Sequence, residues 1–153
     1  LLLREGISLR GATVAVMGRS NVVGRPLANL LSQKGGGRDA SVILLHSRSR
    51  APERFTREAD VLVAAMGRAG AVTAEMVRPG AVVIDVGMNR VPNPEKPGKT
   101  RLVGDVVPEA FEVASAMTPV PGGVGPMTVA MLMRNTVDAA AGAVTRPFAI
   151  GEA

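Results

Sequence analysis

The residues best suited to do chemistry in this chain begin with Gly18-Arg19-Ser20-Asn21-Val22-Val23-Gly24-Arg25-Pro26, set between an apolar run and a helix-like stretch. At a strand-to-helix turn, glycines let the backbone approach a ligand, and the helix N-terminus presents free N–H groups to a phosphate. The spacing departs from the usual GxGxxG. Ser20 stands where the second Gly would, and Gly24 follows four residues later rather than three. Gly18 and Gly24 would also serve if they did no more than let the helix pack closely on the sheet.

A second group, His46-Ser47-Arg48-Ser49-Arg50, follows the next apolar run. Folds that prefer NAD carry an acid at the corresponding strand end to hold the ribose 2′-hydroxyl, whereas an Arg there accommodates a 2′-phosphate. This segment offers hydroxyls and cations and no acid, so with Arg19 it reads as a phosphate pocket, the alternative being a solvated basic loop. His46 is the only imidazole in the chain, and a lone loop histidine is more often hydrogen-bonded than catalytic. A third group, Thr118-Pro119-Val120-Pro121-Gly122-Gly123-Val124-Gly125-Pro126-Met127-Thr128, combines a rigid approach, a backbone that can lie against a ligand and a helix start with Pro126 at its first position. Ordinary connections between elements run about 2 to 6 residues and rarely need such density of Pro and Gly.

These groups need elements to position them, and the chain supplies an alternation of short apolar runs and helix-like segments. Thr13 to Met17, Ser41 to Leu45, Val61 to Met66 and Ala81 to Val86 read as strands covered on both faces. Helices are expected at Pro26 to Gln33, closed by Gly35-Gly36-Gly37, at Thr73 to Val77, at Pro108 to Ala116 and at about Pro126 to Ala141. Asn89 to Lys99, rich in Pro and charge, reads as an exposed loop or ragged hairpin. The pattern predicts an α/β fold, a Rossmann-like doubly wound parallel sheet in three α/β/α layers, as one domain over residues 1–153.

Composition narrows the function. With 153 residues, 46% hydrophobic and 20% charged, the chain is globular. The net charge of +5 invites a polyanion partner, but three Phe and no Tyr or Trp leave little for bases to stack on, so no nucleic-acid partner is expected. No apolar run approaches the ~18 residues of a membrane span, so no membrane partner is expected either. Zero cysteines and one histidine argue against a metal site, fit a reducing compartment and lead us to expect a cytoplasmic location. Leu1-Leu2-Leu3-Arg4-Glu5-Gly6 reads as the tail of a helix that started earlier, so a longer protein is expected.

Several segments together carry a family resemblance: Gly18-Arg19-Ser20 with Val23-Gly24-Arg25-Pro26, His46-Ser47, Ala59 to Gly67, Val83-Ile84-Asp85-Val86-Gly87-Met88-Asn89, Val103-Gly104-Asp105-Val106, and Thr118 to Thr128. From Leu3 to about Ala141 the chain resembles the C-terminal, nucleotide-binding portion of the methylenetetrahydrofolate dehydrogenase/methenyltetrahydrofolate cyclohydrolase family. The resemblance implies NADP as cofactor, held by Gly18, Arg19, Ser20 and Ser47, with Met88 lining the nicotinamide pocket where Ile is common. It implies that Pro121, Gly122, Gly123, Val124 and Gly125 border the folate substrate, methylene- or methenyltetrahydrofolate, and that the protein is a homodimer. The family's catalytic Lys and Tyr lie in an N-terminal domain. This chain has no Tyr, and Lys34, Lys96 and Lys99 fall outside any motif for the role, so no catalytic residue is expected here. A stand-alone, non-catalytic nucleotide-binding or dimerisation module is the alternative.

Overall fold

The apolar runs become strands where β-branched residues pack on a pleated surface. In a computed structural model describing residues 1–142, they form β1 (Thr13–Met17), β2 (Ser41–Leu45), β3 (Val61–Ala64) and β4 (Val82–Asp85). A two-residue strand, β7 (Ala116–Met117), completes a sheet of order β2-β1-β3-β4-β7 in which every neighbouring pair is parallel. The chain leaves β1 for β2 on one side and returns across it to β3 on the other, so the winding direction reverses between β1 and β3. This is the expected doubly wound α/β sheet. Strands β5 (Asn89–Pro92) and β6 (Thr100–Val103) form a separate antiparallel hairpin, longer and more regular than its composition suggests.

Alternate side chains divide between the two faces, as a period of two requires. Val14, Val16, Val61 and Val63 pack with Leu9 and with Leu27 and Leu31 of helix α1 (Gly24–Leu31). Ala15, Met17, Leu62, Ala64 and Val83 face Ala59, Val72, Val77, Val106 and Ala110. That second cover is thin: the one-turn helix α2 (Glu53–Thr56) and 3-10 turns at Ala74–Met76 and Pro108–Glu112.

Three expectations need correction. The β2 strand is not covered on both faces, because it is the sheet edge and Val42, Ile43 and Leu44 remain half-buried. The helix expected to reach Ala116 stops at Glu112, since the Ser115 N–H bonds the Ala81 carbonyl at 2.9 Å and draws the chain into the sheet as β7. The last helix, α3 (Val124–Ala140), starts two residues early and places Pro126 third rather than first. A proline is tolerated there because the first four N–H groups of a helix have no internal acceptor.

At the amino ends of the strands, the connection from α1 to β2 turns through Gly35, Gly36 and Gly37, all at positive φ, and the Asp39 carboxylate accepts the Gly35 N–H at 2.9 and 3.0 Å. Nearby, Asp60 ties the starts of β1 and β3 together: its Oδ2 accepts the Thr13 N–H at 2.9 Å, and its Oδ1 pairs with Arg78. The Thr13 N–H holds the Asp60 carboxyl below its ordinary pKa; burial opposes it, and Arg78 adds to the lowering. A carboxylate depressed in the folded state adds stability above its unfolded pKa and loses it as pH falls through the folded one. Asp60→Asn is therefore expected to lower the unfolding free energy measured in urea at neutral pH, by about 1 kcal/mol or less for so exposed a pair. It should have little effect below the carboxylate range, and an equal loss at both pH values would contradict the assignment.

Candidate functional site

Because all five strands run the same way, the loops that follow them leave from one edge. The Gly18 turn follows β1, Ser47 follows β2, Met88 follows β4 and the loop 119–125 follows β7. All the residues singled out from the sequence therefore lie along the carboxyl edge, where open α/β sheets bind ligands.

The Gly18 turn sits at the reversal between β1 and β3. Gly18 has φ +124°, and a Cβ on it would stand 2.1 Å from the Ala65 carbonyl oxygen of the neighbouring strand end. A Cβ on Gly24 would stand 1.8 Å from the Gly18 carbonyl oxygen. Close packing and an open approach to α1 thus have one cause: no side chain fits between the helix and the turn. Ser20 Oγ accepts the N–H groups of Val23 at 3.0 Å and Gly24 at 3.4 Å, which fastens the turn to the helix start. Among the described residues, no acceptor takes the N–H groups of Arg19 to Val22, and Arg19 has no ion-pair partner. Exposed N–H groups, a helix N-terminus and a free guanidinium fit the phosphates of a dinucleotide.

After β2, Ser49 Oγ accepts the His46 N–H at 3.0 Å, and His46 Nδ1 accepts the Arg48 N–H at 3.2 Å. His46 is thus built into its own turn. The same turn leaves Ser47, Arg48 and Arg50 exposed.

Met88 and the Pro-rich loop meet. They line one cavity of about 570 Å³ that includes Pro121, Gly122, Gly123, Val124 and Gly125. Its walls are mainly apolar or backbone, and Met88 is 62% exposed within it. A Cβ on Gly123 would lie 2.4 Å from the Pro119 carbonyl oxygen, so the loop folds tightly on itself. Lys34, Lys96 and Lys99 are exposed on loops away from this cavity. No group of acids or imidazole able to hold a metal occurs among the described residues.

Sequence reasoning did not single out Asp85 and Asp105 as site residues, yet both are buried behind this edge. Asp85 Oδ1 accepts the N–H groups of Gly87 at 2.8 Å and Asp105 at 3.0 Å, and its Oδ2 accepts that of Val106 at 3.0 Å. Burial pushes the Asp85 carboxyl above its ordinary pKa; these N–H groups oppose the shift, and the neighbouring Asp105 charge adds to it. The Thr118 hydroxyl accepts the Asp85 N–H at 2.8 Å and so links β4 to the Pro-rich loop. Glycine flanks both acids by necessity: a Cβ on Gly104 would stand 1.8 Å from Asp85 Oδ2, and one on Gly87 2.3 Å from Asp105 Oδ1. The legible signal was an acid ending an apolar strand, with Val-Gly after it and a Gly-Asp pair further on.

Residues 1–144 match the family described as tetrahydrofolate dehydrogenase/cyclohydrolase, NAD(P)-binding domain. The chain is 59% identical over 139 residues to the bifunctional protein FolD of Parvibaculum lavamentivorans, covering 90% of this chain and 45% of that protein. It is 53% identical over 138 residues to the FolD protein of Chlorobium limicola, covering 90% and 47%. Among solved structures, it superposes with a TM-score of 0.83 at 38% identity on the bifunctional FolD methylenetetrahydrofolate dehydrogenase/cyclohydrolase of Campylobacter jejuni, covering 94% of this chain and 48% of that one. The Trypanosoma brucei enzyme, solved with NADP and an inhibitor, gives 0.80 at 42% identity, covering 89% and 46%. The chain thus spans about half the length of the relatives it matches.

The contact between Gly24 and Gly18 sets an expectation. Gly24→Ala must push a methyl group into backbone, at a cost of about 3 kcal/mol. Gly98, at φ +78° with nothing within 4 Å of an added Cβ, should lose only about 1 kcal/mol as Gly98→Ala. Denaturant melts of the two variants test the ranking; the reverse order would contradict the packing described.

Proposed function

Because this chain belongs to the tetrahydrofolate dehydrogenase/cyclohydrolase family as its NAD(P)-binding domain, we propose that it is the NADP- and folate-binding half of a bifunctional one-carbon enzyme. That enzyme oxidises 5,10-methylenetetrahydrofolate and hydrolyses the methenyl product. The observation that carries the reading is the placement of the Gly18 turn at the reversal of the sheet, on the same edge as the cavity shared by Met88 and residues 119–125.

Each residue then has a task set by its position. The exposed N–H groups after Gly18 and the start of α1 bind the pyrophosphate. Arg19 and Ser47, with Arg48 or Arg50 beside them, bind the 2′-phosphate that distinguishes NADP from NAD. Met88 supports one face of the nicotinamide ring, and the backbone of Pro121 to Gly125 forms one wall for the pterin. NADP, when bound, accepts a hydride from the methylene carbon. Holding the two reacting carbons about 3 to 3.5 Å apart is what a complete cleft contributes.

The second wall and the acid-base groups come, in this reading, from another domain of a longer protein. The apolar side chains of α3 support it: none is buried, and Leu132, Met133 and Val137 are each 66% exposed. Such an apolar surface on a long helix suits burial against a neighbouring domain. The enzyme works in the cytoplasm as a homodimer; the absence of cysteine suits a reducing compartment. The match to bifunctional enzymes over nine-tenths of this chain favours the enzyme half over a stand-alone module.

Calorimetry on this chain should show NADP binding more tightly than NAD. Arg19→Ala should cut that preference by about tenfold, the lower range for one charge-assisted hydrogen bond. Equal affinities in the unmodified chain would contradict the 2′-phosphate assignment.

This chain alone should bind NADP weakly and show no turnover of methylenetetrahydrofolate or of the methenyl form. Supplying the other domain should restore both reactions. Robust turnover by the 153 residues alone would place a catalytic group on this chain and end the proposed division of labour.

A further inference from the structure

Asp105 is fully buried at the point where the chain returns from the β5–β6 hairpin, and its two carboxylate oxygens take four hydrogen bonds. Oδ2 accepts the N–H groups of Met66 at 2.6 Å and Gly67 at 2.8 Å. Oδ1 accepts the Arg68 N–H at 2.8 Å and the side-chain amide of Asn89 at 2.9 Å. Three of these donors belong to the loop after β3 and the fourth to the first residue of β5. With every lone-pair direction used and no solvent access, Asp105 cannot exchange a proton with a substrate. Its effect must pass through the groups it holds.

Those groups follow two neighbouring strands, β3 and β4, at the carboxyl edge of the sheet. Residues 66–68 continue directly from Ala65, whose carbonyl lies against Gly18 at the sheet reversal. Asn89 follows Met88, the exposed wall of the cavity. We propose that Asp105 is a positioning residue for the redox-active end of the cofactor: it fixes the loop after β3 and the Met88–Asn89 backbone relative to each other, and so sets the slot that receives the nicotinamide ring. The proposal rests on the NADP reading above. The 2′-phosphate end is outside its reach, because Ser47 follows β2 at the sheet's edge and no hydrogen bond joins it to Asp105.

The chemistry of the acid is specific to this task. Both oxygens must accept, two donors each. In Asp105→Asn one oxygen becomes an NH₂ group facing two donors, so whichever way the amide is turned two of the four hydrogen bonds are lost. In Asn89→Ala only the side-chain donor disappears, and the three backbone N–H bonds to Asp105 remain.

The test titrates NADP and 2′,5′-ADP, which lacks the nicotinamide, into this chain and into both variants. For Asp105→Asn we expect the NADP Kd to rise about tenfold while that of 2′,5′-ADP stays within about twofold. Asn89→Ala should move the ratio the same way by a smaller factor, and it decides the matter alone if the aspartate variant does not fold. Parallel loss of both ligands would make Asp105 a general structural residue, and no change in either would remove any role; each result overturns the proposal. Failure of the unmodified chain to bind 2′,5′-ADP is a separate outcome that defeats the NADP reading itself, and the positioning role with it.

Discussion

Where β4 ends, the chain must leave the sheet, travel out along the β5–β6 hairpin and return beside its own point of departure. Backbone N–H groups at such a crossing have no ladder partners, and a buried donor left unpaired costs roughly 1 to 3 kcal/mol. Two buried carboxylates meet this demand. Asp85 gathers the outgoing chain at Gly87 and the returning chain at Asp105 and Val106, and Asp105 gathers the loop after β3. The carboxyl edge of the sheet depends on this exchange, which adds to the backbone bonds that already join Val72 to Asp105 and Val107.

The two ends of the candidate cleft are built on different physical terms. At the Gly18 turn the governing quantity is space: two glycines allow backbone to touch backbone, and the resulting shape exposes N–H groups. At the Met88 end it is charge: buried carboxylates hold the loops through backbone N–H groups. Short-range repulsion is indifferent to the medium, whereas the charge network depends on staying dry. The glycines beside the acids belong to both schemes, since Gly87 and Gly104 are small so that the carboxylates can come close.

Much of the fold was legible because continuous β-branched runs have one stable use in a chain of this size. Both Thr13–Met17 and Ser41–Leu45 form strands at the expected residues. The glycine turn and the Pro-rich loop were legible for a related reason, as each departs from what ordinary connections require. The failures share a cause in tertiary competition. Residues after Glu112 have helical character, but an open edge beside β4 offered hydrogen bonds that local propensity could not match. Asp85 and Asp105 were visible as letters in recognisable segments, yet their role depends on donors 37 to 39 residues away for Asp105, and no local pattern encodes a partner at that distance. Helix α3 carries apolar residues at helical spacing, yet none of them is buried among the described residues.

With every loop of chemical interest on the carboxyl edge, the opposite edge is left with connections alone. The segment 33–39 there turns through three glycines and closes on itself through Asp39. An added Cβ at Gly35 would meet nothing within 4 Å. Chain inserted at Gly35 lengthens the loop at small entropic cost and leaves the sheet's register unchanged. The molecule thus has a natural port for a fluorophore, an affinity handle or relocated termini, facing away from the cleft and separated from it by the full length of the strands.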